Sequence, residues 1–248
     1  MNSLETILML AVIAFGVPHG AADLYLGRTL LKSWPWTLYL GLYIVLVGLV
    51  YCAWHFSLQW AFPAFMLISA WHFGETDFQS NSSSKQALGG LLHIVFLLAV
   101  HLQEWKSFTS PSISPIFPND SLIPWFGLAS TLIWVAFLMT HNKTPRVFIL
   151  LGISLAGILL PFFVHFTLYF LVWHTPHSAL AVWQTIKKIN RNFLLSVGFI
   201  TLSAWAMFTL AWNWFPTHEK MIGLLGLLAA LTLPHALLFH LLFKRLKS

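Results

Sequence analysis

Charge is what this chain lacks most. Asp, Glu, Lys and Arg make up 8% of its 248 residues while 58% are hydrophobic, whereas a soluble domain carries about 25% charged residues. With a mean hydropathy of +0.77, it cannot clothe a water-facing surface, which excludes a soluble globular domain and leaves a polytopic membrane protein. Cysteine is almost missing too. The single Cys52 sits in an apolar run, so an internal disulfide framework is excluded. There is no glycine-rich nucleotide fingerprint, so chemistry that draws electrons from a nucleotide has no visible binding loop. The formal charge of +6 does not signal a nucleic-acid partner, because the basic residues come in ones to threes at helix ends, with no basic stripe interleaved by exposed aromatics. A positive n-region is lacking as well: the first apolar segment follows Met1-Asn2-Ser3-Leu4-Glu5 and reads as a retained helix, not a signal peptide.

What is present is a series of long apolar runs. A spanning helix takes about 20 mostly apolar residues, and nine segments qualify, at 4–28, 35–56, 59–79, 86–103, 122–140, 146–161, 163–186, 192–214 and 220–243. Pro161 divides the longest run, since it removes a donor and clashes with the preceding turn. The expected fold is therefore all-α, a polytopic transmembrane helix bundle of eight to nine spans forming one domain over residues 1–248, without an internal repeat. With nine alternating helices, one side holds Arg28, Lys32, Lys85, Lys143, Arg146, Lys187, Lys188, Arg191, Lys244, Arg245 and Lys247 and the other only Lys106 and Lys220. This asymmetry predicts a multi-pass protein of the cell (inner) membrane, with the N-terminus outside and the C-terminus in the cytoplasm. The Pro- and Ser-containing stretch 104–121 is then an outer loop and Asn81-Ser82-Ser83-Ser84 a cytoplasmic linker.

Histidines interrupt these apolar runs in short motifs: Pro18-His19-Gly20 with Asp23, His72-Phe73-Gly74 with Asp77, His174-Thr175-Pro176-His177, and Pro234-His235. An imidazole in hydrocarbon costs free energy unless it is paired or ligated, so such residues are functional candidates. At 1.5 Å rise per residue, His19, His72, His174, His177 and His235 all fall about 10 to 18 Å from the cytoplasmic surface, in a single layer. Clustered neutral imidazoles suit a divalent transition metal such as iron, copper or zinc, and helix bundles build such sites from inward-facing side chains. His174 and His177, three apart, share a helix face. Asp23 is placed to take the second ring N–H of His19 or another histidine, and Glu75 and Asp77 to do the same near His72. His55, His93, His101, His165 and His240 read as packed histidines. Taken singly, Pro18-His19 and Pro234-His235 could also be helix kinks; it is the shared depth that favours a metal site.

Gly16-Val17-Pro18-His19-Gly20-Ala21-Ala22-Asp23, Trp71-His72-Phe73-Gly74-Glu75-Thr76-Asp77, Tyr169-Phe170-Leu171-Val172-Trp173-His174 and Leu231-Thr232-Leu233-Pro234-His235 resemble the four marker motifs of the Brp/Blh family, in order and spacing over nearly the whole chain. The family contains integral-membrane β-carotene 15,15′-dioxygenases that supply retinal, often to rhodopsins. The resemblance implies a non-haem Fe(II) cofactor held by His19, His72, His174 and His177, with His235 as the alternative fourth ligand. It also implies β-carotene, O2 and the lipid bilayer as partners, and a retinal-accepting protein downstream. One departure stands out. The family's third motif carries two histidines four apart, whereas here Ser178 occupies the second position and His177 lies one residue early.

Cleavage of one double bond by O2 into two aldehydes takes its electrons from the substrate, which agrees with the missing nucleotide motif. Asp23, Glu75 and Asp77 are the expected orienters of the imidazoles, and no general base is assigned. Competing classes are a di-iron desaturase or hydroxylase, which usually gathers about eight histidines including adjacent pairs, a haem-binding electron carrier, and a transporter or proton relay.

Overall fold

The computed structural model describes residues 20–78, 80, 82–108, 119–141, 146–185, 191–212 and 220–247, and among these every regular element is helical. In chain order α1 is Asp23–Leu30, α2 Trp36–Phe56, α3 Leu58–Asp77, α4 Ser83–Val100 and α5 Leu102–Phe108. A 3-10 turn at Asp120–Leu122 leads into α6, Ile123–His141, and α7 follows at Val147–Gly157. The next helix begins as α8, Phe162–Leu168, widens into a π-helical turn at Tyr169–His174, and narrows again as α9, Thr175–Thr185. Arg191–Trp212 forms α10 and Lys220–Lys247 forms α11.

Four described helical stretches are long and apolar enough to cross a bilayer: Trp36–Phe56, Ser83–Val100, Asp120–Thr140 and Leu225–Arg245. Each matches an expected span. Val147–Gly157 and Phe193–Ser203 are shorter apolar helices. The segments expected at 59–79 and 163–186 are helical too, but the first ends in His72, Glu75, Thr76 and Asp77 and the second is divided by the π turn, so neither reads as an uninterrupted apolar span. Most of the segment expected at 4–28 lies outside the described residues. Pro161 does divide the long run: α7 stops at Gly157, and Pro161 is the N-cap of α8.

The bundle is inverted relative to a soluble protein. Leu38, Ile44, Leu49, Leu132 and Phe199 are exposed, while Asp23, His72, Asp77, His93 and His174 are buried. Apolar side chains outside and ionisable ones inside is the arrangement a hydrocarbon solvent demands, since only the interior can supply polar partners.

The α3–α4 pair packs most intimately, and small residues allow it. A Cβ added at Gly90 would overlap the Ala70 carbonyl oxygen and stand 2.7 Å from Gly74 N, and one at Gly74 would meet the Gln86 carbonyl. Close backbone approach through glycine is the usual route to tight helix packing where water provides no driving force. Above this contact, Phe96, Leu97, Trp134, Leu138, Leu150 and Tyr169 form one core cluster. The Trp134 indole N–H donates to Ser154 Oγ at 3.0 Å, joining α6 to α7. A second cluster around Leu26, Val182, Phe239 and Leu242 ties α1 and α9 to α11.

A polar chain fastens α5 to α8. The Phe162 N–H donates to Glu104 Oε2 at 2.9 Å, which supplies a carboxylate to the first turn of α8. Glu104 Oε1 is 3.2 Å from His101 Nδ1, and His101 Nε2 is 2.9 Å from His165 Nδ1.

Gly90→Ala should lower the melting temperature of the detergent-solubilised protein, because the new methyl meets backbone, with an overpacking cost of about 1–3 kcal/mol. Gly48→Ala, where nothing lies within 4 Å of an added Cβ, should leave the melting temperature unchanged or higher. Equal melting temperatures for the two variants would refute the α3–α4 contact.

Candidate functional site

The last two turns of α3 bring His72 and Asp77 into the interior, where they are 2% and 4% exposed. Two further histidines reach the same place from distant parts of the chain: His174 at the end of the π turn and His235 on α11, immediately after Pro234. The His72 ring centre is 5.1 Å from that of His174 and 4.7 Å from that of His235, with the rings edge to face in both pairs. Phe73, 4.7 Å from His174, and Phe239, 4.5 Å from His235 and 5.5 Å from His72, encase the group in apolar rings.

Two of the imidazoles are held by carboxylates. His174 Nδ1–H donates to Asp77, at 3.1 Å from Oδ1 and 3.2 Å from Oδ2. His235 Nδ1–H donates to Asp23 Oδ1 at 2.7 Å. Each carboxylate also accepts a phenol on Oδ2, from Tyr169 for Asp77 and from Tyr43 at 3.0 Å for Asp23. The Tyr39 hydroxyl donates to the Asp23 backbone carbonyl at 3.0 Å. Gly27 permits this last contact, because any Cβ there would run into the Tyr39 ring. Buried carboxylates are tolerated only with such partners, since the loss of solvation otherwise exceeds what one contact returns.

The arrangement supplies donor groups of the type a transition metal takes. A neutral imidazole that donates from Nδ1 keeps its lone pair on Nε2, and a carboxylate behind the ring is the common outer partner of metal-bound histidine. Imidazoles in neighbouring positions around one ion, bonded at about 2.1 Å, have ring centres roughly 4.5 to 5.3 Å apart. The spacings here, 5.1 and 4.7 Å, fall in that interval. Among the described residues, no group of three or more histidine, cysteine, aspartate or glutamate side chains is arranged to hold a metal ion. The fit therefore rests on donor type, ring spacing and carboxylate support. His19 lies outside the described residues.

The other expected site residues are placed as follows. His177 turns back on its own helix, its Nδ1–H donating to the Trp173 carbonyl at 2.6 Å and its ring lying 4.5 Å from that of Trp173. It is not brought together with His72, His174 and His235. Ser178, one residue on, is the neighbour that faces inward: it is wholly buried, with Oγ 3.5 Å from His174 Nε2. Glu75, expected beside a site imidazole, instead accepts from His240 Nδ1 at 2.8 Å on the α3–α11 surface. Asp23 and Asp77 do hold imidazoles, with Asp23 on His235. His93, His101 and His165 are buried in the core, as packed histidines should be. Sequence reasoning missed Tyr43 and Tyr169. Tyr169 sits inside a quoted motif, and its five-residue spacing from His174 is a signal only if the helix is not α.

The class that fold and site define is an all-helical bundle with membrane-type helices around a buried imidazole–carboxylate cluster. The chain matches the family described as Beta-carotene 15,15′-dioxygenase over residues 10–243, and it belongs to that family. A β-carotene 15,15′-dioxygenase from uncultured marine bacterium 66A03 is 26% identical to it, over 95% of this chain and 93% of that relative. No solved structure matches it significantly.

Asp77→Ala leaves the Tyr169 hydroxyl and the His174 N–H without their acceptor. Each stranded group should cost about 1–3 kcal/mol, read as a marked fall in the thermal midpoint of the solubilised protein. Asp120→Ala, which breaks an exposed 2.5 Å pair with Lys106, should leave that midpoint where it is. If the two substitutions are equally mild, Asp77 is not the buried acceptor.

Proposed function

We propose that this protein is an integral-membrane, iron-dependent carotenoid dioxygenase that splits β-carotene at its central 15,15′ double bond with O2 to give two molecules of retinal. Family membership supports carotenoid cleavage. The observation that carries the rest is the meeting of His72, His174 and His235, from three separate elements, with buried carboxylates on two of them. His72, His174 and His235 would hold the metal together with His19, and His177 is left out because its ring lies against Trp173 and not among the other three. Fe(II) bound there would supply the capacity to activate O2.

The chain's own residues do the positioning. Asp77 and Asp23 fix the tautomer and plane of His174 and His235, so that both present Nε2. Phe73 and Phe239 keep the surroundings apolar, which excludes water from a reaction whose substrate is a hydrocarbon. The reaction balances without a further reductant: one alkene and one O2 become two aldehydes, the four electrons coming from the severed double bond. A long polyene must be held with one particular bond at the metal, within near-attack distance, and the exposed apolar flanks of the bundle would let it enter from lipid. We place the chain in the cell membrane with eight to nine spans and, with nine, the N-terminus outside and the C-terminus in the cytoplasm, on the strength of the basic-residue asymmetry. A retinal-accepting protein would receive the product.

Expression in bacteria that already make β-carotene should bleach the orange colour and yield retinal by chromatography. His72→Ala and His235→Ala should abolish both effects, while His177→Ala should keep most of the activity. Intact carotene beside folded, iron-containing protein would overturn the substrate assignment. Retinal formation that survives His235→Ala but not His177→Ala would overturn the ligand set.

A further inference from the structure

We propose that Tyr169 and Tyr43 are positioning residues of the site, each setting one metal-binding imidazole through a shared carboxylate, and that the π-helical turn exists to make the first of these triads possible. This rests on the reading that His174 and His235 bind a metal.

The same three-part construction occurs twice from unrelated pieces of chain. In one, the Tyr169 phenol and the His174 imidazole both donate to Asp77; in the other, the Tyr43 phenol and the His235 imidazole both donate to Asp23. The phenol goes to Oδ2 in each case, leaving Oδ1 to the imidazole, with Asp77 Oδ2 also within 3.2 Å of His174 Nδ1. All the carboxylate and imidazole side chains involved are 9% exposed or less. An aspartate that held only one imidazole could rotate about its Cβ–Cγ bond and carry the ring with it. A second donor on the other oxygen fixes the carboxylate plane, and the imidazole plane follows. The phenol also takes a share of the negative charge, so it sets how strongly the carboxylate polarises the imidazole and hence the donor strength of Nε2.

For Asp77 the local helix geometry is decisive. Tyr169 and His174 are five residues apart, which on an α-helix of 3.6 residues per turn puts them about 140° apart, on different faces. In a π turn, whose hydrogen bonds run between residues five apart, residue i+5 comes back over residue i. The two rings accordingly lie 6.4 Å apart and within 28° of parallel, both facing the one aspartate. His93 lies against the Tyr169 ring, with centres 3.9 Å apart, and holds it in place. The wide turn ends where His174 ends and ordinary α-helix resumes at Thr175, so the distortion covers the triad and nothing more.

The full-length protein, purified in detergent and stripped of metal, can be titrated with Co(II) while its visible ligand-field absorption is recorded, with affinity fixed by chelator competition. Tyr169→Phe and Tyr43→Phe keep the ring and remove only the hydroxyl. Each should weaken Co(II) binding about tenfold, the lower end for loss of an outer-sphere partner, and each should shift the ligand-field bands, which a loss of packing alone would not do. Tyr51→Phe, at a half-buried tyrosine away from the site whose hydroxyl is 3.3 Å from His55 Nε2, should match wild type in both respects. The two phenols act on different carboxylates, so if one variant does not fold the other still decides. Wild-type affinity and bands in the folded Phe variants, with binding lost in His72→Ala, would overturn the proposal and leave the metal site standing. Failure of the wild-type protein to bind Co(II) would overturn the metal reading and the proposal with it.

Discussion

The site depends on two aspartates, Asp23 and Asp77, the only acidic or basic side chains besides histidine that are buried among the described residues. Both sit where a carboxylate has lost its water, and each is held by an imidazole and a phenol that donate to it. The partners come from far apart in the chain: α1, α2 and α11 meet at Asp23, and α3 and the π turn meet at Asp77. The carboxylates therefore cross-link the helices as well as orient the site. In hydrocarbon, where burying apolar surface brings little, such polar joints together with close small-residue contacts decide which helices lie side by side.

The rest of the architecture serves that placement. Gly90 and Gly74 let α3 settle against α4 at the end of α3 that carries His72 and Asp77. Gly27 lets the Tyr39 ring approach α1, whose first residue is Asp23. The π turn re-phases one helix so that Tyr169 and His174 can share an acceptor. Aromatic residues fill the space around the imidazoles, and the outside is left to leucine, isoleucine, valine, phenylalanine and tryptophan.

Much of this architecture is legible in the amino-acid sequence. The apolar runs announce helices, and those expected at 35–56 and 86–103 correspond to Trp36–Phe56 and Ser83–Val100, because length and hydropathy are local properties of sequence. Counting along helices puts His19, His72, His174, His177 and His235 at one depth; His72 does meet His174 and His235, His177 does not join them, and His19 lies outside the described residues. What goes astray depends on rotation about a helix axis. His177 is expected beside His174 on the rule that residues three apart are neighbours, yet it turns to the Trp173 carbonyl and Ser178 takes the inward place. Glu75 is expected near the site, yet α11 offers it His240. Tyr43 and Tyr169 go unremarked because one is 20 residues from Asp23 and the other 92 from Asp77, and a tyrosine among 39 other aromatic side chains carries no mark of its own. The His101–His165 pair escapes for the same reason, as a contact 64 residues apart.

The most direct test of the account is the iron content and iron-edge X-ray absorption of protein purified from iron-replete cells, beside the His72→Ala variant. The account predicts about one iron per chain with a first shell of imidazole nitrogens near 2.1 Å, no haem absorption, and loss of the iron on replacing His72. Wild-type protein without stoichiometric iron, iron present as haem, or iron that stays bound after His72 is replaced would contradict it.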